Sequence, residues 1–457
     1  MGARLELELR AARLVGRLSR AAGKGGGTTL PGKLLWNVDP GAVDALAARL
    51  PQGVVIISAT NGKTTTSAMA ARILAPRRRL AWNNSGANLA SGITSSLLSS
   101  GEADLGLLEV DEFALPEVAR RVRPRVVSLG NLFRDQLDRY GELEHIAERW
   151  REAISALPVS TTLVVNADDP LVADLAEGRD GALRFGVDDP RVARPGLQHA
   201  ADSKFCVRCG APYAYDAAYV GHLGDYRCDA CGHARPPLDV AAQSIELDGL
   251  DASSFDLVTP SGTRHVRLPL PGLYNVYNAL AAAAVSIAVG TPMDEVVTGL
   301  TGFSAAFGRF ERITAGDRRI LMLLIKNPAG ANEAIRTLEE GGAPPILVVA
   351  LNDAIADGRD VSWIWDVDFE PLLERAERIV ATGDRAAELA LRFTYAGFPA
   401  DRLDVVPSLE EALDLGLELV PPGAELGVLP TYTAMLCLRA VAVERGLVKP
   451  YWEAQGL

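Results

Sequence analysis

The chain has 457 residues, 48% of them apolar and 23% charged, and at ~100–200 residues per domain this length predicts roughly two to four domains. Its formal net charge of −12 argues against a general DNA or RNA binder, which needs a concentrated basic surface, so we expect no nucleic-acid partner. Every apolar run falls short of the about 20 residues that span a bilayer, and we expect a cytoplasmic protein.

Residues 1–50 are expected to form an N-terminal helix and a linker. Leucines and arginines recur over 4–22 in a helical pattern, and glycines follow over 23–27. We expect this helix to pack on the rest of the protein. The sequence leaves an alternative open, in which the arginines rest on the anionic inner face of the cell membrane and make the protein peripheral to it.

Residues 51–312 are expected to form one central domain, in which apolar strands alternate with helices. The predicted strands are 54–57, 105–108, 126–129 and 162–165, and the predicted helices are 65–74, 116–121 and 142–157. Continuous apolar strands separated by helices indicate a parallel sheet covered on both faces. A strand-rich segment at 238–270 and an alanine-rich helix at 278–289 complete this α/β domain.

A second α/β pattern over 313–457 predicts a C-terminal Rossmann-like domain. Its predicted strands are 320–325, 346–350, 378–381 and 425–429, and its predicted helices are 330–340, 384–395, 408–417 and 432–445. The boundary between the two domains is expected near 305–313. The predicted fold class is therefore α/β with two sheets.

A cysteine-bearing insert, 201–237, interrupts the central domain. It carries two C-x-x-C pairs, Cys206 with Cys209 and Cys228 with Cys231. This spacing is typical of a zinc ribbon, in which each pair presents two thiolates to one tetrahedral ion. Four thiolates leave no open position, so the zinc would be structural. A redox pair and unligated thiols are the alternatives. The remaining cysteine, Cys437, lies in a predicted apolar helix and is expected to be a core residue.

The strand at 54–57 leads into a polar turn and then a helix, the arrangement that a phosphate-binding loop requires. The turn and helix start carry Thr60, Asn61, Gly62, Lys63, Thr64 and Thr65. Backbone N–H groups there attract phosphate oxygens, the lysine reaches the β- and γ-phosphates, and the next hydroxyl can ligate Mg²⁺. We therefore expect ATP and Mg²⁺ to bind, although Ile57 replaces the first glycine of the general pattern. The alternative is an ordinary helix start with an exposed lysine.

This turn resembles the nucleotide loop of the Mur ligases, which join amino acids to peptidoglycan precursors through acyl phosphates made with ATP. Other segments match the family's motifs in order, at 83–89, 131–138, 166–169, 274–278 and 308–311. The resemblance implies that Glu109 binds metal and that Asn166, Asn275 and Asn278 contact the nucleotide. A carboxylate at a strand end beside the lysine turn can hold Mg²⁺ against ATP. From the residues alone, Glu109 as a surface acid and the helix asparagines as caps stay open.

The sequence departs from the Mur pattern in three places. Gln136 replaces the family's metal-linked histidine, and Trp150 aligns with its carbamylated lysine. The first 50 residues are also too few for the family's UDP-binding N-terminal domain, which we expect to be absent.

An acidic segment of the C-terminal domain follows a predicted strand, so we expect it to be a loop at the carboxyl edge of the sheet. It runs from Leu351 to Asp366 and includes Asp357 and Asp360 beside two tryptophans. A merely solvated turn is the alternative. With the segment 324–330, the zinc ribbon and the missing UDP domain, it resembles the MurT family, the ligase subunits of lipid II isoglutaminyl synthases.

This second resemblance implies the ligase subunit of a glutamine amidotransferase. ATP would phosphorylate the α-carboxylate of D-glutamate in the lipid II stem peptide, with Lys63 neutralising charge on the moving phosphoryl group. Ammonia from a GatD glutaminase partner would then give D-isoglutamine. Asp360, or else Asp357, would complete the partner's catalytic triad across a heterodimer interface. The rivals are a stand-alone Mur-type amino-acid ligase, which the missing UDP domain disfavours, and a zinc-ribbon regulatory ATPase, which the ligase motifs disfavour.

Overall fold

The structure is a computed structural model that describes residues 9, 11, 12, 14, 16, 29–84, 86–135, 143–198, 201–303 and 310–449. Gln136, much of the predicted helix 4–22 and the first two residues of the 308–311 motif lie outside these ranges. Within the helix, Leu9 and Ala12 are described and are buried in the core of the central domain. Those two positions agree with a helix that packs on the protein.

The described chain contains strands and helices in the alternation that the sequence predicts. The strands are β1 (Val54–Ser58), β2 (Leu80–Trp82), β3 (Leu105–Glu109), β4 (Val126–Leu129), β5 (Thr162–Asn166), β6 (Leu183–Val187), β7 (Ala214–Val220), β8 (Leu223–Arg227), β9 (Val240–Asp248), β10 (Ala252–Thr259), β11 (Gly262–Leu268), β12 (Phe310–Ala315), β13 (Arg318–Leu323), β14 (Ile346–Ala350), β15 (Arg378–Thr382), β16 (Leu403–Val405) and β17 (Glu425–Pro430). The helices are α1 (Leu30–Val38), α2 (Ala42–Ala47), α3 (Lys63–Leu74), α4 (Ala90–Ser99), α5 (Leu115–Val122), α6 (Leu143–Ser155), α7 (Pro170–Asp174), α8 (Leu273–Ala288), α9 (Met293–Thr301), α10 (Pro328–Gly341), α11 (Glu370–Arg375), α12 (Ala386–Tyr395), α13 (Leu409–Leu419) and α14 (Tyr432–Glu444).

The central sheet contains nine described strands in the order β11-β10-β9-β6-β5-β4-β1-β3-β2. The run from β2 to β9 is parallel, whereas β9, β10 and β11 pair antiparallel. Alternate residues of β1 enter different cores: Val55 and Ile57 pack in the core that contains α3 and α8, and Val54 and Ile56 in the core that contains α5 and α6. Helices on both faces explain why β1 is apolar throughout.

The C-terminal sheet contains six described strands in the order β12-β13-β17-β14-β15-β16. The pair β12–β13 is antiparallel, and the other neighbours are parallel. Because β12 begins at Phe310, we propose that the second domain begins there, a few residues before the position 313 expected from the sequence. These two sheets are the α/β architecture that the sequence predicts.

The cysteine-bearing insert is built around the antiparallel hairpin β7–β8, whose residues Tyr219, Val220 and Leu223 pack in the core of the central domain. Its own core contains Cys206, Cys228, Tyr213 and Tyr226. In the part of the chain that the structure describes, no helix has both the length and the apolarity needed to cross a bilayer.

Two predicted boundaries shift in ways that matter for the site. The strand predicted at 320–325 ends at Leu323, which releases the segment from Leu324 to Asn327 as a loop at the carboxyl edge. The helix predicted at 278–289 begins at Leu273, after Gly272 with a φ of 85°, so Asn275 lies in its first turn.

Candidate active site

The phosphate loop joins β1 to α3 with a left-handed glycine. Gly62 has a φ of 85° and a Cβ placed on it would lie 2.0 Å from Oδ1 of Asn278, so a larger residue does not fit. The loop is held from the next strand along the sheet, since Thr60 N donates to Asn131 O and Asn61 N to Asn131 Oδ1, both at 2.9 Å. The loop is therefore preformed, with Lys63 as the first residue of α3.

The lysine of this loop is buried and paired. Lys63 Nζ lies 2.6 Å from Glu112 Oε2, and both side chains are less than 10% exposed. Burial opposes the charged lysine, but the carboxylates of Glu112 and Asp111 outweigh it and raise the pKa of Lys63. Burial also opposes the charged form of Glu112, and Lys63 outweighs it and lowers the pKa of Glu112. Sequence reasoning missed Glu112, although it follows Glu109 by three positions.

Glu109 lies at the end of β3 and faces the helix start. Thr64 Oγ1 donates to Glu109 Oε1 at 2.9 Å, and Asn88 Nδ2 approaches the same oxygen at 3.4 Å. The side chain of Asn83 pairs with the backbone of Glu109 in both directions. A hydroxyl and a carboxylate brought together beside the lysine are the oxygen ligands that Mg²⁺ prefers. This donor set fits a magnesium ion, which Thr64 and Glu109 would hold.

Trp150, which the resemblance aligns with a carbamylated lysine of the Mur ligases, has a structural contact in this chain. It is fully buried in α6 and its indole Nε1 donates to the backbone O of Glu112 at 2.9 Å. The tryptophan therefore fixes the loop that carries the partner of Lys63. Gln136 lies outside the described residues.

Asn166 ends β5 and lies beneath the phosphate loop. It lines a small pocket together with Asn61 and Asn278, and its Oδ1 accepts from Asp168 N at 3.1 Å. Asp168 in turn accepts hydrogen bonds from Tyr277 Oη and Val187 N. Burial raises the pKa of Asp168 to about 6, although Arg235 opposes that shift.

Asn275 and Asn278 lie on α8 against the phosphate loop. Asn278 Nδ2 donates to Asn275 Oδ1 at 3.1 Å, and Asn275 Nδ2 donates to Pro271 O at 2.7 Å. Thr66 Oγ1, from α3, approaches Asn278 Oδ1 at 3.4 Å. The two asparagines thus form one chain of amides that reaches the loop.

A cleft opens above the phosphate loop, between the two domains, with about 980 Å³ of empty space when the open solvent at its mouth is included. Polar groups of the loop and of α8 line one end, namely Asn61, Gly62, Thr65, Asn275 and Asn278. Apolar and aromatic side chains line the rest, among them Phe133, Val220, Leu223, Leu270, Tyr274 and Ala334. A cleft that is polar at the phosphate loop and apolar beyond it suits a nucleotide, because the phosphates are charged and the faces of the base are flat and apolar.

The C-terminal domain meets the phosphate loop through the segment released after β13. Lys326 Nζ donates to Thr60 O at 2.9 Å and lies 2.5 Å from Asp135 Oδ2. The side-chain amides of Asn61 and Asn327 donate to each other, both at 3.1 Å. Sequence reasoning singled out this segment but did not assign Lys326 to the site. The signal it offered was a lysine directly before a helix start.

The four cysteines of the insert come together as predicted. Their sulfur atoms all lie within 4.8 Å of one another, with Cys206 and Cys231 3.6 Å apart and Cys209 and Cys228 3.5 Å apart. Sulfur ligands at ~2.3 Å from a tetrahedral zinc are ~3.8 Å apart, whereas a disulfide needs ~2.05 Å. Burial opposes the thiolate of Cys206, but backbone N–H groups outweigh it and lower its pKa to about 6. The cluster fits a zinc ion held by four thiolates.

The two candidate aspartates of the acidic segment have different surroundings. Asp357 is buried and accepts from Thr433 N at 2.8 Å and from the Thr433 hydroxyl, at the start of α14. Asp360 is exposed and its Oδ1 accepts from Ser362 N at 2.8 Å. Hydrogen bonds from the side chain and then the backbone of Ser362 lower the pKa of Asp360. Asp357 therefore fastens the segment, and Asp360 is open to solvent.

Comparisons with known proteins place this chain in a family. Residues 324–435 match the family described as MurT ligase C-terminal, and residues 57–207 match the Mur ligase middle domain. The MurT subunit of the lipid II isoglutaminyl synthase (glutamine-hydrolyzing) of Staphylococcus aureus strain N315 is 34% identical over 391 residues, covering 84% of this chain and 86% of the relative.

The chain belongs to the MurT family. It is accordingly an enzyme subunit of the ligase class and a member of the wider Mur ligases. The matched MurT segment begins at Leu324 and contains Lys326, Asp357 and Asp360.

Solved structures share the fold of this MurT-family chain. A pseudomurein peptide ligase type C from Methanothermus fervidus has a TM-score of 0.69 at 24% identity, covering 88% of this chain and 80% of its own. A MurF ligase from Thermotoga maritima in complex with ADP has a TM-score of 0.61 at 17% identity, covering 89% and 85%. The Mur-ligase-like sheet and the C-terminal α/β domain are therefore confirmed as the fold.

Proposed function

We propose that this chain is the ATP-dependent ligase subunit of a glutamine amidotransferase that amidates lipid II. Its substrate is the α-carboxylate of D-glutamate in the stem peptide, and its product is D-isoglutamine. The observation that carries the proposal is the preformed phosphate loop, whose Asn61 and Gly62 line an interdomain cleft and which leads directly into Lys63 and the Thr64–Glu109 pair. A relative named as the MurT subunit of a lipid II isoglutaminyl synthase (glutamine-hydrolyzing) matches 84% of this chain.

The reaction proceeds in two steps in this proposal. The α-carboxylate attacks the γ-phosphorus of ATP, which forms an acyl phosphate and releases ADP. Ammonia then attacks the acyl carbon, and phosphate leaves with the C–O bond electrons as the amide forms and a proton departs. Lys63 leaves Glu112 for the phosphate oxygens and stabilises their charge as the phosphoryl group moves. When bound, Mg²⁺ supplies further neutralisation from the Thr64 and Glu109 side.

The ammonia comes from a glutaminase partner of the GatD type in this proposal. Asp360 is the group that we assign to the partner's triad, because its carboxylate is exposed on a fastened segment, whereas both oxygens of Asp357 serve Thr433. An aspartate in that role orients a histidine and stabilises its charged form.

We also propose that the chain contacts the anionic inner face of the cell membrane, where lipid II resides. The exposed apolar residues Leu30, Leu34 and Val38 form one stripe of α1. The first 33 residues carry seven Arg or Lys and two Glu in a chain whose net charge is −12. The net positive charge of this N-terminal segment complements the negative charge of anionic lipid. Flotation with phosphatidylglycerol vesicles, but not phosphatidylcholine vesicles, is expected, and Leu34→Ser should weaken it. Equal flotation with both lipids, or with neither, contradicts this part of the proposal.

The experiment that tests the function combines this chain with a GatD-type glutaminase, lipid II, glutamine, ATP and Mg²⁺. Mass spectrometry should show a stem peptide lighter by about 1 Da, the difference between a carboxyl OH and an amide NH₂. Incorporation of an added amino acid instead would favour a stand-alone Mur-type ligase. ATP hydrolysis without any change in lipid II would favour a regulatory ATPase.

A further inference from the structure

Lys326 is a cation of the C-terminal domain that reaches the phosphate loop of the central domain. It follows β13 at the carboxyl edge of its own sheet, and its Nζ lies 2.9 Å from Thr60 O and 2.5 Å from Asp135 Oδ2. Its side chain is 24% exposed, and that of Asp135 is 8% exposed. Lys326 also lines the interdomain cleft together with Asn61 and Gly62.

The arrangement repeats, from the other domain, the pairing of Lys63 with Glu112. Each lysine is neutralised by a buried carboxylate of the central domain, at 2.6 Å for Lys63 and 2.5 Å for Lys326. Both pairs adjoin the same loop, so two cations and two carboxylates surround the position that a triphosphate would take. Transfer of a γ-phosphoryl group depends on cations that neutralise the charge spread over its three equatorial oxygens.

The neighbours of Lys326 hold it in this position. Asn327 pairs with Asn61 of the loop and also caps α10, where its Oδ1 accepts from Gly330 N at 2.8 Å. Asp135 has one buried oxygen, Oδ1, without a hydrogen-bond partner among the described residues. The carboxylate that now holds Lys326 is therefore incompletely hydrogen-bonded, whereas a γ-phosphate group offers the lysine a more highly charged acceptor with three oxygens.

We propose that Lys326 is a second catalytic cation, which the C-terminal domain supplies to the γ-phosphoryl group of ATP. This inference rests on the proposed ligase function. Lys326 exchanges Asp135 for a γ-phosphate oxygen when ATP binds and stays on that group as it moves to the acceptor carboxylate. Because the lysine belongs to one domain and the loop to the other, transfer requires the two domains to be docked.

The competing account is that Lys326 only clamps the domains together. A lysine that only clamps the domains would support the binding of ADP and ATP equally, since both occupy the same cleft. A lysine that contacts the γ-phosphate supports the binding of ATP alone. Loss of Lys326 also leaves Asp135 uncompensated, and its charge would itself repel the γ-phosphate. The double variant Lys326→Met with Asp135→Asn removes that repulsion and isolates the lysine.

Calorimetric titration of the full chain with Mg-ADP and with the Mg complex of the β,γ-imido analogue of ATP tests the proposal. Lys326→Met should weaken binding of the analogue by about 10- to 100-fold, which corresponds to the loss of one charge-assisted hydrogen bond. The affinity for Mg-ADP should stay unchanged. The double variant should keep this selective loss, and the exposed Lys449→Met serves as the matched control. Equal weakening of both nucleotides, no weakening, or recovery in the double variant would overturn the proposal. A wild-type chain that binds neither nucleotide would instead overturn the ligase function.

Discussion

The two mainly parallel sheets both carry charged side chains at their carboxyl edges, but these side chains are buried to different extents. At the central sheet, Lys63 and Glu112 form a pair that is less than 10% exposed. At the C-terminal sheet, Asp357 is buried while Asp360 faces solvent. A site whose charges are all satisfied inside the chain can perform chemistry there, whereas an exposed carboxylate on a fixed loop can act only on something that comes from outside. In the proposed function, this difference distinguishes the site of phosphoryl transfer, at the central sheet, from the carboxylate that meets the glutaminase partner, at the C-terminal sheet.

Removal of the Lys63 cation at the central sheet should have the largest effect on activity. Lys63→Met is expected to lower ADP release about 10³-fold or more, because the moving phosphoryl group loses its buried cation. The variant also leaves Glu112 unpaired, which costs about 3–5 kcal/mol of stability. Lys63→Met combined with Glu112→Gln should regain stability but not activity, as measured by thermal unfolding and by an ADP-release assay. Activity that returned with stability would mean that Lys63 serves the fold and not the reaction.

Substitution of Asp360, at the carboxyl edge of the C-terminal sheet, should affect one activity and spare the other. Asp360→Asn is expected to reduce glutamine-dependent amidation about 10²-fold or more while sparing amidation driven by added ammonia, since only the partner's triad needs the carboxylate. Both activities are measured by mass spectrometry of the stem peptide in the complex.

Asp357→Asn is the matched substitution for that experiment. It should destabilise the chain by about 1 kcal/mol, because the carboxylate loses part of its hold on Thr433. An equal loss of both activities in Asp360→Asn, or a glutamine-selective loss in Asp357→Asn alone, would move the triad role away from Asp360.

The cysteine cluster should show an effect on stability. Cys228→Ser is expected to remove about one equivalent of zinc per chain and lower the melting temperature, because metal binding supplies part of the folding energy of such a unit. Elemental analysis and thermal unfolding measure both quantities. Cys437 is exposed, so the expectation from the sequence that it is a core residue was wrong. Because this thiol also lies outside the cluster, Cys437→Ser is the control and should retain the zinc. Unchanged metal content in Cys228→Ser would exclude the zinc assignment.

The smallest expected effect is a pH dependence that originates at Asp168. Its pKa is raised by burial to about 6, so the folded protein binds a proton more tightly than the unfolded chain does. The contribution of this residue to stability is therefore greatest below about pH 4 and declines until about pH 6. Asp168→Asn should flatten the free energy of urea unfolding over that window, and the exposed Asp180→Asn should not. A profile unchanged by Asp168→Asn would contradict this assignment.

Local sequence signals predicted the loop, the parallel sheets and the cysteine cluster, because each depends on neighbours in sequence. The apolar β1 before Gly62 and Lys63 and the paired C-x-x-C spacings are signals of this kind. The insert's position beside the cleft, with Val220 and Leu223 in its wall, was not predictable in this way.

The residues that sequence reasoning missed are brought to the site by distant packing. Glu112 reaches Lys63 because Trp150 of α6 holds its backbone, and Lys326 reaches Thr60 from 266 positions away in the sequence. Their local signals, an acid three positions after Glu109 and a lysine directly before a helix start, do not distinguish Glu112 and Lys326 from surface charges. Likewise, the early end of β13 follows from its pairing with β12 and β17, which a single strand pattern does not reveal.

The central claim is that the chain moves the γ-phosphoryl group of ATP onto a carboxylate. Lipid II labelled with ¹⁸O in the α-carboxylate of its D-glutamate tests this directly, because an acyl phosphate passes one of those oxygens to phosphate. We predict that the phosphate released during amidation carries one ¹⁸O for each amide formed, as detected by ³¹P NMR. Phosphate that is free of label, with amide still accumulating, would contradict the account.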